Sequence, residues 1–577
     1  MTANKNIEED KKKESYPTNK TWWKEAIVYQ LYPRSFKDSN GDGIGDIKGI
    51  IASLDYLQSL GITVIWLNPV FSSPNDDMGY DVSDYRNIMT EMGTMNDFNE
   101  LLNGLHQRGI KLIADLVLNH TSDEHDWFVQ SKSSRNNPYR NYYHWWPAEK
   151  GVPPRRYSVF HEEGAWTYDN TTDSYYLHYF SRKQPDLNWE NPTVRKEMYE
   201  VMKFWLDKGV DGFRLDAFTY ISKDNSYPEI PEKYKEDPFS YYSCGPGLHN
   251  YLQEMNKEVF SHYDLMTVGE ASGITHDQAL LFTATERKEI QTLYHFDHAN
   301  WGRNKNNLYY PDLKNRKLTD LKKIFSLWDA AFENDGWGAV YLTTHDQSRM
   351  VSRFGNDTTY RNESSKLLLT FLLSMRGTPY IYQGDEIGMR NIRFEKIGEY
   401  KDLHTINYYH YLATTGGDTQ AFIEAQKETA RDNSRTPFQW SNQKNAGFTN
   451  GTPWINVNPD YESINARNAE NDPASILHYT RKMIALRKAL PVLVYGDFNL
   501  LEKESETLFV FTRRLANMQV LVVLNFSDTE TAFTLRANDK IVKEIINNYN
   551  EQTHFENSRV VLKPWQAILY ECITDES

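Results

Sequence analysis

The chain has 577 residues, 39% hydrophobic and 25% charged, which supplies large packed cores and excludes a wholly disordered chain. Its 64 Lys and Arg against 79 Asp and Glu leave a formal charge of −15, which disfavours nucleic acid and anionic membrane as partners. No apolar run approaches the ~20 residues of a membrane span, the first twenty residues carry no apolar leader, and Cys244 and Cys572 cannot build a disulfide framework, so the reading is a cytoplasmic enzyme or binding protein of several units.

In chain order, residues 1–20 are rich in Lys and Glu and read as a disordered tail. A buried-strand pattern follows at Ala26–Pro33, then a polar Gly/Asp loop. Ile50, Leu54, Leu57 and Leu60 repeat at helical spacing up to Gly61. Strand patterns recur at Val64–Val70 and Lys111–Asn119, separated by a helical stripe of Phe98, Leu101, Leu102 and Leu105. This cadence predicts parallel βαβ units. It breaks over residues 120–189, a Trp-, Tyr- and Asn-rich stretch with no clear helix, which reads as an inserted domain. It resumes with Asn191 and Pro192 as N-cap and first helical residue, then strands at Gly212–Ala217, Leu265–Ala271, Leu293–Asp297, Ala339–Asp346 and Thr378–Gly384. Eight such units predict a (β/α)8 barrel over 21–119 and 190–495. A charged, Tyr-rich stretch from Gln383 to Trp440 forms a second excursion. Residues 496–577 change to short strand patterns, at Thr507–Thr512, Val520–Phe526, Ala532–Leu535 and Val560–Leu562, and predict an all-β C-terminal domain.

Barrels of this kind carry their chemistry at the C-terminal ends of the strands. There the sequence places Asp115 and Asn119-His120 on strand three, Arg214 and Asp216 on strand four, Glu270 on strand five and His345-Asp346 on strand seven. Each carboxylate alone could cap the next helix. Three on one rim, with Arg214 two residues from Asp216 on the same face, point instead to paired-carboxylate chemistry. Arg214 is expected to keep Asp216 ionised as a nucleophile, and Glu270 to need a raised pKa as acid/base. Asp346 would be the third carboxylate, and Asp115 is expected to order the barrel interior.

Asp38, Asn40, Asp42, Ile44 and Asp46 sit at D-x-N-x-D-G-I-x-D spacing. Oxygen donors at positions 1, 3, 5, 7 and 9 suit a hard cation, while the bidentate Glu of a true EF-hand is missing at Gly49. The other reading is an Asx-rich turn without an ion.

The segments DLVLNH, GFRLDA, VGEA and TTHD resemble the four short signature regions of the α-amylase superfamily. WWKEAIVYQLYPRSFKDSNGDGIGD, SPNDDMGYDVSDY, QPDLNWENP, TPYIYQGDEIGM and RDNSRTPFQW narrow the likeness to its oligo-1,6-glucosidase and α-glucosidase branch, over nearly the whole chain from Trp22. The resemblance implies Asp216 as nucleophile, Glu270 as acid/base and Asp346 as transition-state stabiliser. It implies a glucose pocket lined by Asp77, Tyr80, His120, Phe180, Gln184, Arg214, His345 and Arg431, and a structural Ca²⁺ or Mg²⁺ in the Asp38–Asp46 loop. Asp77 with Arg431 is expected to make a salt-bridged floor, with Arg435 as an alternative to Arg431, and Tyr80 either stacks on a sugar or packs in its loop.

Two departures stand out. The branch usually reads Asn-His-Asp-Gln-Pro where this chain has Thr344-His345-Asp346-Gln347-Ser348, and VFHEEGAW departs from the usual small residues. The expected activity is that of a retaining, exo-acting α-glucosidase on small oligosaccharides, as monomer or dimer. Ala217, directly after the nucleophile, accompanies α-1,4 rather than α-1,6 preference in this branch, unless it merely fills a gap. A sucrose isomerase or trehalose synthase is the alternative, lowered because FDHANWGRN stands where sucrose isomerases carry Arg-Leu-Asp-Arg-Asp. A non-catalytic relative of transporter heavy chains is disfavoured, since those lose the carboxylates kept here.

Overall fold

The computed structural model describes residues 20–574 apart from 161, 162, 235, 236, 537, 538, 550, 552 and 557. The anticipated tail, except for Lys20, lies outside the described residues. The eight barrel strands are β1 (Val28–Leu31), β2 (Val64–Leu67), β3 (Lys111–Val117), β4 (Gly212–Asp216), β5 (Met266–Ala271), β6 (Thr292–His295), β7 (Ala339–Tyr341) and β8 (Thr378–Tyr382). They lie in the order β6-β5-β4-β3-β2-β1-β8-β7, all parallel. A parallel bridge between Leu293 and Gly338 joins the two ends and closes the (β/α)8 barrel.

Strand alternation sorts the side chains. Val28, Val64, Trp66, Ile113, Met266, Val268, Tyr294, Ala339, Tyr341 and Tyr380 form one apolar cluster inside the barrel. Their neighbours Tyr29, Leu31, Ile65, Leu67, Leu112, Ala114, Phe213, Leu215, Leu293 and Ile381 pack outward with the helices. Carried toward the C-terminal ends, the inward parity falls on Gln30, Asn68, Asp115, Arg214, Asp216, Glu270 and His345. A polar layer therefore caps the apolar filling at one end.

Local chemistry sets the helices between the strands. Thr94 and Asp97 form a reciprocal capping box for helix Met95–Gln107. Asn191 caps Pro192–Asp207 through the Thr193 amide, with the proline at the first turn as expected. The stripe Ile50–Leu60 is split into Ile47–Ile51 and Leu54–Leu60, and the second piece ends on left-handed Gly61.

Residues 120–189 hold a three-stranded antiparallel sheet with Ser174–Leu177 between Trp145–Pro147 and Trp166–Asp169. They also hold a helix, Asp126–Ser133, that the sequence pattern did not announce. Its N-cap is His125, which accepts from the Trp127 amide, and its buried side is only Phe128 and Ser131, too narrow a stripe to show as a period. The stretch after Gln383 folds into helices Leu403–Thr415, Thr419–Thr429 and Asp432–Arg435.

The C-terminal part is all β. Strands β9 (Asp497–Leu501), β10 (Leu508–Leu515), β11 (Met518–Asn525), β12 (Asp539–Asn547) and β13 (Ala567–Thr574) form a sheet in the order β9-β10-β11-β13-β12. A second sheet places Arg559–Leu562 between Thr531–Thr534 and His554–Glu556. The sequence pattern missed β9, β12, β13 and His554–Glu556; Asp, Lys, Glu and Asn interrupt the alternation of β9 and β12, whereas β13 opens on the apolar run Ala567–Tyr570.

One buried cation, Arg513, fastens this part to the barrel through main-chain carbonyls, and a second, Arg487, ties together the barrel's own last segments beside it. Arg487 donates to the carbonyls of Leu373, Met375 and Leu493 at 2.8–2.9 Å, and Arg513 donates to those of Ser374, Leu493, Val494 and Gly496. Arg513→Met would strand several buried acceptors at ~1–3 kcal/mol each. At ~2–4 °C per kcal/mol for a unit of this size, a calorimetric midpoint several degrees below the parent is expected, and an unchanged midpoint would remove the joint from the argument.

Candidate active site

The polar layer is organised around Arg214, which is fully buried. Its guanidinium reaches Asp115 Oδ1 at 2.7 Å, Asp216 Oδ1 at 2.5 Å and Glu270 Oε2 at 2.8 Å, and donates to Tyr294 Oη at 2.8 Å. The backbone amide of Ala217 also donates to Glu270 Oε2, at 3.0 Å. One guanidinium in contact with both carboxylates, and the amide next to Asp216 in contact with Glu270, hold the pair close. Asp115 serves as the sequence suggested: its Oδ2 accepts from Trp66, Asn68 and Tyr80 inside the barrel.

Arg214 stands against Asp216, as expected. Burial pushes the Asp216 carboxyl well above its usual range; Arg214 opposes this, while Glu270 and Asp115 add to it. One positive charge is here shared by three carboxylates. Asp346 differs. Burial acts to raise it, but His345, Arg431, Arg435 and Arg214 outweigh that and hold it well below the carboxylate range. His345 is pushed down to about 3 by burial and is neutral at physiological pH. Asp77 is pushed up to about 7 by burial, against Arg431 and Arg435.

These groups border a cavity of about 950 Å³. Asp77, Tyr80, His120, Phe180, Asp216, Ala217, Glu270, Asp346 and Arg431 line it. Gln184, Arg214 and His345 stand behind the lining, buried, and act through it. Gln184 Nε2 lies 3.1 Å from Asp77 Oδ2 and 3.2 Å from His120 Nε2, which joins the inserted segment to the loop after β2. Tyr80 packs its ring parallel to His345 at 5.3 Å and bonds Asp115 and His345 through its hydroxyl. Ala217 ends β4 in the left-handed region, at φ 47°.

The floor holds the expected Asp77–Arg431 ion pair, at 3.9 Å. Arg431 also grips Asp346 Oδ1 at 2.9 Å and Asp402, and Arg435 reaches Asp346 Oδ1 at 2.9 Å. Both arginines therefore serve, because Arg431–Arg435 lies on one short helical turn facing the cavity. Asp402 escaped the sequence reading. It caps helix Leu403–Thr415 through the His404 and Thr405 amides, a pattern that looks purely local. Phe296, Asn300, Tyr309 and His404 also border the cavity and were not singled out.

In the loop after β1, Asp38 Oδ1 accepts the amides of Asn40 and Gly41, and Asp38 Oδ2 accepts the Gly43 amide and the Thr449 hydroxyl. Asn40 and Asp42 are paired through Asn40 Nδ2 and Asp42 Oδ2 at 3.0 Å, and Asp42 Oδ1 accepts the Ile44 amide. Asp46 caps the next helix through the Gly49 amide and binds Ser39. Among the described residues no group of three or more His, Cys, Asp or Glu side chains is gathered as a metal site, and no helix is long and apolar enough to cross a membrane.

The family described as alpha amylase, catalytic domain, matches residues 30–496, and that described as alpha-amylase SusG C-terminal domain matches residues 508–569. The oligo-1,6-glucosidase of Parageobacillus thermoglucosidasius is 50% identical over 96% of this chain and 99% of its own. The oligo-1,6-glucosidase of Bacillus cereus is 48% identical, over 96% and 99%. The isomaltulose synthase of Protaminobacter rubrum superposes with a TM-score of 0.94 at 44% identity, over 96% of this chain and 100% of its own.

Asp402→Asn keeps the helix cap but removes the charge that anchors Arg431. A fall of roughly 10–100-fold in kcat/KM is expected, measured alongside thermal melting; unchanged kinetics would show that Arg431 is placed by Asp346 alone.

Proposed function

The chain belongs to the α-amylase family of glycoside hydrolases, and we propose that it is a retaining, exo-acting α-glucosidase that releases glucose from short α-glucosides. The observation that carries this reading is the single Arg214 guanidinium in contact with both Asp216 and Glu270 at the base of one cavity. Retaining hydrolysis needs two carboxyls ~5–5.5 Å apart, whereas inversion needs room for a water between them.

The reaction needs Glu270 protonated and Asp216 ionised at its start. Asp216 attacks the anomeric carbon as Glu270 gives its proton to the glycosidic oxygen, and the aglycone leaves with the bonding pair. A water then loses a proton to Glu270 and attacks the same carbon from the face the aglycone left, which frees Asp216 and yields α-glucose. Asp346, held ionised by two arginines, supplies negative charge where the ring becomes oxocarbenium-like. Asp77, with Arg431 and Asp402 nearby, offers charged partners for the hydroxyls of the terminal sugar.

For linkage, Ala217 supports a preference for α-1,4 over α-1,6 bonds. It lines the cavity beside both carboxylates and presents a single methyl, which leaves room for the second sugar. A second reading, sucrose isomerisation, is favoured by the likeness to isomaltulose synthases; Phe296, Asn300 and Arg303 of the segment FDHANWGRN border the same cavity, and that segment's departure from Arg-Leu-Asp-Arg-Asp weighs against it.

We further propose that the Asp38–Asp46 loop holds a structural Ca²⁺ or Mg²⁺. Its support is the donor set of Asp38, Asn40, Asp42, the Ile44 carbonyl and Asp46 on one tight loop, where each Asp42 oxygen accepts one hydrogen bond and keeps a further lone pair.

Three outcomes are expected. Glu270→Gln should slow natural disaccharides far more than activated aryl glucosides, while Asp216→Asn stops both; β-glucose as the first product by NMR would overturn retention. Maltose should be cleaved with higher kcat/KM than isomaltose, and sucrose digests should yield free glucose and fructose rather than an isomer. Ala217→Val should lower the maltose-to-isomaltose ratio by an amount worth ~1–3 kcal/mol, with some loss of stability because a β-branched residue is strained at positive φ; an unchanged ratio would clear Ala217 of the role. Chelation and Asp42→Ala should both lower the melting midpoint; purified protein without stoichiometric metal and with chelator-insensitive melting would leave the loop a simple Asx turn.

A further inference from the structure

Gln30 lies on β1 with its side chain turned into the barrel, 1% exposed, beneath the cavity rather than on its wall. Its Nε2 makes two contacts, one to Asn68 Oδ1 at 2.9 Å and one to His345 Nδ1 at 2.8 Å. The polarity of this chain of bonds can be followed from its far end. Asp115 Oδ2 is bonded by the Trp66 indole, a group that can only donate, at 3.1 Å, so this oxygen is an acceptor. It lies 3.3 Å from Asn68 Nδ2 and 2.8 Å from Tyr80 Oη. Asn68 must therefore turn its amide nitrogen to Asp115 and its oxygen to Gln30.

That oxygen requires a donor, so the Gln30 group between Asn68 and His345 is the amide nitrogen. Of its two hydrogens one goes to Asn68 and the other to His345 Nδ1. A neutral imidazole that accepts at Nδ1 carries its proton on Nε2. His345 Nε2 faces Tyr80 Oη at 2.7 Å and Asp346 Oδ2 at 3.1 Å. The Tyr80 hydroxyl hydrogen is committed to Asp115, so both Tyr80 Oη and Asp346 Oδ2 offer acceptors there. Every bond in the chain is then satisfied in one direction only.

We infer that Gln30 is a positioning residue that fixes His345 as the Nε2–H tautomer, and through it orients Asp346 and Tyr80 on the cavity wall. The opposite tautomer would set a ring lone pair against Asp346 Oδ2 and Tyr80 Oη and push both away from their places. The catalytic consequence rests on the glucosidase reading above; the tautomer does not.

The test uses protein labelled with ¹⁵N at histidine, with the His345 signals assigned by their loss in His345→Asn. In the parent, Nδ1 is expected in the unprotonated, pyridine-like range and Nε2 in the protonated, pyrrole-like range, unchanged across the pH range of activity. Gln30→Glu replaces the donor by a carboxylate that only accepts. It should move a proton onto Nδ1, lower kcat for aryl and natural glucosides alike by roughly 10–100-fold, and add an ionisation to the pH profile. Gln30→Met, which removes the donor without adding charge, should lower kcat without that ionisation. A parent protein with the proton on Nδ1 would overturn the inference, as would a Gln30→Glu protein that keeps both the parent tautomer and the parent kcat. Should Gln30→Glu fail to fold, the parent spectrum and Gln30→Met decide. A parent with the expected tautomer but no glucosidase activity would sink the functional reading and leave the tautomer lock standing.

Discussion

One buried guanidinium, that of Arg214, orders the centre of this molecule. It is enclosed by the barrel with no exposure and is satisfied by Asp115, Asp216, Glu270 and Tyr294. A buried cation is tolerated only when it is paired and hydrogen-bonded. The partners come from the adjacent strands β3, β4, β5 and β6, so the pairing of these strands also brings the reactive carboxylates together.

A second electrostatic unit faces the first across the cavity. Arg431 and Arg435 share Asp346 and Asp402, so positive charge is balanced here more fully and Asp346 stays ionised. The contrast between Asp216, pushed up, and Asp346, held down, goes with the cations within reach, one arginine shared with two other acids for Asp216 and two arginines for Asp346. Carboxylates of one chemical type are thereby separated into different roles by their neighbours. Between the two units runs the neutral relay of Gln30, Asn68, Tyr80 and His345, which carries orientation without adding charge.

The walls of the cavity come from segments that interrupt the barrel. The segment 120–189 contributes His120, Phe180 and Gln184 and is pinned by the His120–Asp186 bridge and by Lys223, which approaches Asp186 Oδ2 at 3.1 Å. The segment after β8 contributes Asp402, Arg431 and Arg435. Loops of this kind can vary in sequence while the strands that hold the reacting groups stay in place, which is how one barrel serves several linkages and products.

The eight strands were legible in the sequence because each is a short apolar run bounded by turn residues, and their inward parity could be counted to Asp216, Glu270 and His345 without coordinates. Helix stops and caps such as Gly61 and Asn191 were equally readable, since they act within a few residues. What sequence periodicity could not reach depends on distance through space. Asp402 has the local signature of a helix cap, and only the packed fold brings Arg431 and Arg435 against it. Gln30 reads as one polar residue in an apolar strand, and its part in the relay depends on Asn68 and His345 arriving from strands 38 and 315 residues away. The helix Asp126–Ser133 and the strands β9 and β12 were hidden because polar residues interrupt their pattern while tertiary contacts stabilise them. Sequence alone determined the barrel, the carboxylate triad and the family likeness, all of which follow from local patterning repeated along the chain. Tertiary structure alone decided how one arginine is shared by three acids and which arginines reach Asp346, because electrostatic balance depends on which charges meet in space and not on their order in the chain.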